Sequence, residues 1–187
     1  MMLASTALDR AFSDRDFRDA LGRFATGVAV ITGMTDEGAR LGATVSSFSS
    51  VSLDPPLVLF SIGRSAKGFP AWETIKRFAV NILAEEQSAI STRFARSLTD
   101  KWEGIAPRSG ANGAPLLHGA LAWLECTSHA KYDGGDHLIL VGHVDALTIH
   151  TASDARPLVF FGGKYRRLDS DRLIQTPPDA EQWLHGW

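Results

Sequence analysis

Two long β-type segments joined by a glycine-containing connection constrain the fold of this chain more than any other feature. The segments cover residues 120–130 and 138–149, and the connection between them contains Gly134 and Gly135. Glycine adopts positive φ without steric cost, so a chain with this pattern can reverse direction sharply. The pattern predicts a long antiparallel hairpin.

Further apolar runs rich in β-branched residues predict five more strands, at residues 28–32, 41–47, 57–62, 78–83 and 158–161. Three helices are predicted. The first begins at a capping-box-like spacing of Ser13 and Asp16 and ends near Gly27, and the others cover 70–76 and 85–98. Strands and helices do not alternate as a doubly wound sheet requires. The predicted fold is therefore mainly β with a few helices, a closed antiparallel barrel of six or seven strands whose closure removes unpaired edges.

The chain of 187 residues suits one domain, which we place at residues 13–168 after a flexible N-terminus at 1–12. The remaining tail, 169–187, contains Trp183, Leu184 and Trp187. Apolar residues in a terminal tail usually cover a surface. A partner subunit could supply that surface, and so could the parent domain.

Composition excludes several classes of function. There are 19 basic and 21 acidic residues, with a formal net charge of -2 and no basic stripe, so we expect no nucleic-acid partner. The start of the chain has no signal-peptide pattern and no stretch is long enough to span a bilayer, so we expect a cytoplasmic protein without a membrane partner. The single cysteine, Cys126, excludes an intrachain disulfide and is expected to be a buried structural thiol. The histidines show no metal-ligand spacing, so no metal site is predicted.

A cluster of hydroxyl side chains is the first candidate binding feature. Thr44, Ser46, Ser47, Ser49, Ser50 and Ser52 lie within nine residues. Hydroxyls and the backbone N–H groups of a turning segment can surround a phosphate, and small side chains let a flat ring approach the main chain. The alternative is a hydroxyl-rich strand edge and loop, because these residues also favour turns.

The connection at residues 131–137 is the second candidate. It places the carboxylate of Asp136 beside the imidazole of His137, on glycine backbone with little side-chain cover. His137 could donate to a ligand carbonyl, and the alternative is that both are ordinary turn residues. The chain has no G-x-G-x-x-G after a strand, no P-loop and no G-x-S-x-G elbow, so ligand binding is better supported than hydrolysis.

Several segments, in order along residues 15–168, resemble the short-chain flavin reductase family. The matching segments are 24–32, 42–58, 78–83, 93–95, 135–137 and 157–166. The resemblance implies an FMN-binding split barrel, normally a homodimer, that serves as the reductase component of two-component flavin-dependent monooxygenases. It does not extend to the Trp-containing tail.

The resemblance also implies roles for individual residues. The residues implied to hold the flavin ring and its chain are Gly42, Ala43, Thr44, Val45, Ser46 and Ser47. Those implied near the phosphate end are Ser61, Ile62, Gly63, Lys67 and Gly68. Lys67 and Arg64 would supply positive charge that the hydroxyls lack. Arg93 and Phe94 match a helical position near the flavin. His137 is implied to orient the nicotinamide, with Tyr165 and Arg166 bordering the same dinucleotide. The alternative for Arg64, Lys67 and Arg93 is that they are simply exposed to solvent, and the alternative for Phe94 is a position in the core. For Asn81, a structural role for the amide is as well supported as contact with the flavin.

The implied function is an NAD(P)H:flavin oxidoreductase that reduces FMN or FAD with NADH or NADPH and supplies a separate oxygenase. Hydride transfer between the two rings needs no protein acid or nucleophile, so no indispensable catalytic side chain is expected. Two alternatives stay open. One is a reductase with tightly bound flavin that acts on a corrin or an iron complex, and the other is a flavin-binding protein without NAD(P)H activity.

Overall fold

The fold is known from a computed structural model, which describes residues 11–97, 100–150 and 156–169. Its helices are α1 Asp14–Leu21, α2 Phe69–Thr74 and α3 Ser88–Ala95, the last preceded by a 3-10 turn at Glu85–Gln87. Its strands are β1 Thr26–Gly27, β2 Ala29–Met34, β3 Arg40–Val45, β4 Ser49–Leu53, β5 Pro56–Gly63, β6 Arg77–Ile82, β7 Arg108–Ser109, β8 Pro115–Leu116, β9 Ala122–Gly134, β10 His137–Ile149, β11 Val159–Phe161 and β12 Lys164–Arg166. The mainly β, antiparallel prediction is confirmed.

A seven-stranded antiparallel sheet forms the body of the protein, in the order β3-β2-β6-β9-β10-β5-β4. Both predicted hairpins are present, because β2 pairs with β3 and β9 pairs with β10. The long hairpin is tighter than predicted. Its strands continue to Gly134 and His137, so the turn consists of Gly135, at φ 76°, and Asp136 rather than of seven residues.

Two strand predictions need correction. Residues 158–161 were expected in the barrel, yet β11 pairs instead with β1 and β12 in a separate three-stranded sheet. The seventh strand of the main sheet is β4, formed by part of the serine cluster. Serine has low strand propensity, and the segment becomes a strand because its backbone pairs with the apolar strand β5.

The two ends of the seven-stranded sheet approach each other beyond β3. The backbone N–H of Ser61 in β5 donates to Ser47 Oγ at 2.9 Å. Within the described residues, however, β3 shares a ladder with β2 alone and no ladder joins it to β4 or β5. The sheet is therefore curved, and the ladders do not show the closed barrel that was predicted.

The helices are shorter than predicted. Helix α1 has the expected capping box of Ser13 and Asp16 but ends at Leu21, because the chain must extend to form β1. The predicted helix 85–98 divides into the 3-10 turn and α3, which ends where Arg96 takes extended backbone. Among the residues described, no helix is long and apolar enough to cross a membrane.

Among the described residues the core consists of a large cluster inside the curved sheet, a smaller one under α3 and a third that contains Leu116 and Trp123. Phe60, Phe78 and Leu140 are fully buried in the first, and Phe94 is fully buried in the second. Cys126 also lies in the first cluster, where burial raises the pKa of its thiol to about 12. The prediction of a buried thiol is confirmed. Residues 1–10 and 170–187, which contain most of the expected flexible N-terminus and of the tail, lie outside the described residues.

Candidate functional site

A cleft of about 1130 Å³ lies between β3, β5, the end of α3 and the tip of the β9–β10 hairpin. Most of the residues predicted to bind flavin line it: Gly42, Ala43, Thr44, Val45, Ser46, Ser47, Ser61, Ile62, Gly63, Lys67, Gly68 and Phe94. His137 lines it too. Segments nearly 100 residues apart in sequence therefore line one cleft. The volume of this cleft is larger than the roughly 300–1,000 Å³ usual for a ligand pocket.

The hydroxyl cluster divides into two parts with different positions in the fold. Its first part, up to Ser47, lines the cleft, whereas Ser49, Ser50 and Ser52 belong to the edge strand β4 and do not. Within the first part, Thr44 Oγ1 donates to Ser91 O at 2.6 Å and Ser47 Oγ accepts the Ser61 N–H. These two hydroxyls hold the segment in place, and Ser46 is exposed in the cleft.

Gly42 lets β3 pass directly against α3. A Cβ added at Gly42 would lie 2.3 Å from two ring carbons of Phe94, which is fully buried. The ring of Phe94 in turn makes a T-shaped contact with Trp102, with centroids 4.9 Å apart. The floor of the cleft at this end is therefore a close-packed stack of backbone and two rings.

Lys101 closes the same end of the cleft. Its Nζ donates to Gly42 O at 3.1 Å and to Phe94 O at 2.8 Å, so it ties β3 to the last turn of α3. Partial burial lowers the pKa of this lysine. Arg93 completes the arrangement by donating from Nε to Lys101 O at 2.8 Å.

His137 lies at the opposite side of the cleft, on the first residue of β10. It is opposite Gly63 of β5 in the ladder, and a Cβ placed on Gly63 would lie 3.6 Å from His137 Nε2. Its Nδ1 is 2.7 Å from Asp136 Oδ1. The structure thus brings the imidazole and the glycine-rich segment of β5 together at one rim.

Comparison with models of protein families shows which family the chain belongs to. The model described as "Flavin reductase like domain" matches residues 21–169. This chain belongs to the flavin reductase-like family. The resemblance seen in the sequence is therefore confirmed.

Named relatives of this flavin reductase-like chain include reductase components. It is 39% identical over 158 residues to the reductase subunit HsaB of a flavin-dependent monooxygenase of Mycobacterium tuberculosis, covering 84% of each chain. It is 43% identical over 156 residues to the FMN reductase (NADH) SmoA of Agrobacterium fabrum, covering 83% of this chain and 87% of SmoA.

Solved structures of the family have the same fold. The NADH:FAD oxidoreductase SgcE6 of Streptomyces globisporus, solved with NAD and FAD fragments, matches with a TM-score of 0.78 at 38% identity, over 84% of this chain and 94% of SgcE6. One other solved relative is longer, and the chain covers 53% of it.

The cleft of this flavin reductase-like chain fits a flavin by the chemistry of its walls. Gly42, Ala43 and Gly63 expose main chain, which a flat ring system can approach closely. Lys67 is exposed at the rim beside Gly68 and can meet a phosphate. Arg64 is not part of the lining, because its guanidinium is directed to the hairpin tip.

Three further predicted residues lie outside this cleft. Arg93 and Tyr165 line a separate groove of about 410 Å³ on the outer side of α3, and Arg166 is exposed on β12. The hydroxyl of Tyr165 is 2.8 Å from Ser91 Oγ. The side chain of Asn81 is buried in the sheet, which leaves it without access to the cleft.

Sequence reasoning missed several residues of the lining. They include Arg40, Asp100, Lys101, Trp102 and four residues of α1, namely Asp14, Phe17, Arg18 and Leu21. Asp100 Oδ1 accepts hydrogen bonds from the backbone N–H groups of Trp102 and Glu103. Because Asp favours such turns, Asp100 was a local signal of a turn at residues 100–103. The α1 residues had no local signal of a ligand.

Proposed function

We propose that this protein is an NAD(P)H:flavin oxidoreductase that reduces FMN or FAD and supplies the reduced flavin to a separate oxygenase component. One observation carries the proposal: the glycine and hydroxyl segment of β3 and the His137 hairpin tip face one cleft. Family membership and relatives that use NADH with FMN or with FAD support it.

The chain contributes orientation rather than acid–base chemistry. A flavin held by these residues would supply the acceptor for a hydride from the reduced nicotinamide, and the transfer would depend on close alignment of the two rings. We assign residues 42–47 to the flavin ring and its chain, and residues 61–63 with Lys67 and Gly68 to the phosphate. Phe94 supports the ring-binding segment from below through Gly42.

His137 is assigned to the nicotinamide side of the cleft. An ionised Asp136 accepts only, so the hydrogen bond between them places the proton of a neutral His137 on Nδ1 and leaves Nε2 as an acceptor. Nε2 can then accept from the carboxamide N–H of a nicotinamide. The sequence alone had suggested instead that His137 donates to a ligand carbonyl. Tyr165 and Arg166 stay predictions for the dinucleotide, as Arg93 does for the flavin.

We infer three further properties of the whole protein. The Ser47–Ser61 hydrogen bond supports closure of the curved sheet into a split barrel. Exposed apolar residues on α1 support a homodimer. A cytoplasmic location is in keeping with a single, buried cysteine and with the use of NAD(P)H.

The test is an anaerobic mixture of purified protein, NADH or NADPH, and FMN, FAD or riboflavin in excess over enzyme, followed by nicotinamide absorbance. We expect many equivalents of nicotinamide to be oxidised per protein. Oxidation limited to one equivalent per bound flavin would indicate a tightly held flavin serving another acceptor, such as a corrin or an iron complex. No oxidation with any flavin would leave a binding protein and refute the proposal.

A further inference from the structure

Arg64 is bonded to the hairpin tip that carries His137, through three separate hydrogen bonds. Its Nε donates to Gly135 O at 3.0 Å and its Nη2 donates to Asp133 Oδ1 at 2.9 Å. Its backbone N–H donates to Asp136 O at 2.9 Å. The residue that follows β5 thus holds the turn between β9 and β10 from one side.

The turn itself has little other support. It consists of two residues at the end of long strands, and the side chain of Asp136 within it is 94% exposed. The side chain of Asp133, near the end of β9, is 80% exposed. Exposed strand ends open readily because few buried contacts oppose the opening. Asp133 reinforces the arrangement by accepting the Gly135 N–H at 3.1 Å as well as the Arg64 guanidinium, and the hydrogen bond from Arg64 lowers the pKa of this carboxyl.

The orientation of the imidazole depends on the same turn. His137 Nδ1 is bonded to the carboxylate of Asp136, and the backbone carbonyl of Asp136 is the acceptor of the Arg64 N–H. A shift of the turn therefore moves the carboxylate that orients the ring. The ring faces Gly63, the residue immediately before Arg64.

We propose that Arg64 is a positioning residue that sets the place of His137 against the nicotinamide, and is not a phosphate ligand of the flavin. This rests on the proposed function, since it takes His137 as the nicotinamide contact. Within the described residues the guanidinium lies outside the cleft lining, whereas Lys67 lies inside it. A lysine could not replace Arg64, because its single ammonium cannot reproduce the planar fork that reaches Gly135 O and Asp133 together.

The experiment compares Arg64→Ala and Arg64→Lys with Arg108→Ala. Arg108 is a matched control because its guanidinium also lies over an aromatic ring, 5.7 Å from the centroid of Trp123, whereas Arg64 lies 5.5 Å from that of Phe69. Arg108 is on β7, away from the cleft. We measure KM and kcat for the nicotinamide, flavin affinity by fluorescence, and amide hydrogen exchange of residues 133–137.

Both Arg64 variants are expected to lower kcat/KM for the nicotinamide by about 10-fold, since a small misplacement of an orienting group is costly. Flavin affinity should stay within about 2-fold of wild type, because the flavin segment is untouched. Hydrogen exchange at the turn should accelerate in the Arg64 variants and not in Arg108→Ala. Asp133→Asn, which keeps an acceptor for the Gly135 N–H, should give a smaller effect than Arg64→Ala.

Other results would overturn the proposal. Weaker flavin binding with unchanged nicotinamide kinetics would make Arg64 a flavin phosphate ligand. Unchanged hydrogen exchange at residues 133–137 would show that Arg64 does not hold the turn, and this measurement needs no turnover. If wild-type protein oxidises no nicotinamide with any flavin, the proposed function fails instead. The hydrogen-exchange rates of residues 133–137 still decide whether Arg64 holds the turn in place.

Discussion

Gly42 lacks a side chain at the point where β3 crosses the ring of Phe94. The sequence marks this glycine as part of a small-residue segment that a ring could approach, but the structure adds a second reason for it. The strand must come close to a buried phenylalanine, and Lys101 then bonds to the carbonyl of the same glycine. One residue therefore serves both the packing beneath the cleft and its surface.

Gly42→Ala is expected to destabilise the protein by ~1–3 kcal/mol, because the new methyl group would overlap a ring that is fully buried. The displaced segment should also bind flavin more weakly. Urea unfolding and a flavin titration measure the two effects. Gly27→Ala is the control, since a Cβ there meets nothing within 4 Å. Equal effects of the two substitutions would contradict the argument.

Cys126 should be chemically inert in the folded protein. Burial raises the pKa of its thiol to about 12, so almost no thiolate exists at pH 8, and the thiolate is the reactive form. Iodoacetamide at pH 8 should label the native protein very slowly and the guanidinium-unfolded protein rapidly. Rapid labelling of native protein would show that the thiol is accessible and its pKa near the ordinary value.

At the scale of elements, a buried amide joins the strands that support the cleft. Asn81 on β6 donates to Val30 O and Thr32 Oγ1 of β2, at 2.9 and 3.0 Å, and its Oδ1 accepts the Leu117 N–H at 2.8 Å. All of its partners are inside the protein. The structure favours the structural role for this residue over the flavin contact that the sequence left open.

Asn81→Leu should cost ~1–3 kcal/mol, because the substitution leaves the buried N–H of Leu117 without its acceptor. The folded fraction should bind flavin with wild-type affinity. Ser109→Ala serves as control, since its side-chain hydrogen bond to Gly110 O is exposed and water can replace it. A loss of flavin affinity in stably folded Asn81→Leu protein would restore the flavin-contact interpretation.

At the scale of the whole molecule, α1 has no buried residue although it lines the cleft. Phe17 and Leu21 are 51% and 58% exposed, one turn apart on the same helix. An apolar helix face of this kind usually marks an interface. A second copy packed on α1 would lie beside the proposed flavin site.

We expect the wild-type protein to be a dimer in analytical ultracentrifugation. The double substitution Phe17→Ser with Leu21→Ser should shift it toward monomer and weaken flavin binding. Leu53→Ser, at a residue 68% exposed on β4, should leave both properties unchanged. A wild-type monomer would refute the homodimer, and a monomer produced by Leu53→Ser would place the interface on β4 instead.

Local sequence patterns were enough to predict several strands and both hairpins of the fold. Alternating and β-branched residues mark β2, β3, β5, β6, β9 and β10, and hairpin partners follow because they are neighbours in the chain. The strand β4 was offered only as an alternative, a hydroxyl-rich strand edge, and β11 was assigned to the wrong sheet because one of its partners, β1, is distant in sequence. Pairing between distant segments leaves no periodic signal.

The candidate site divides in the same way. Its glycine and hydroxyl segment and its His137 turn were found because each is a compact motif within ten residues. The places of Lys101, Trp102 and α1 in the cleft, the separation of Tyr165 from it, and the bond of Arg64 to the hairpin tip were decided by tertiary structure alone. They depend on hydrogen bonds and packing between elements remote in the chain, and the identity of a residue does not reveal which distant group it meets.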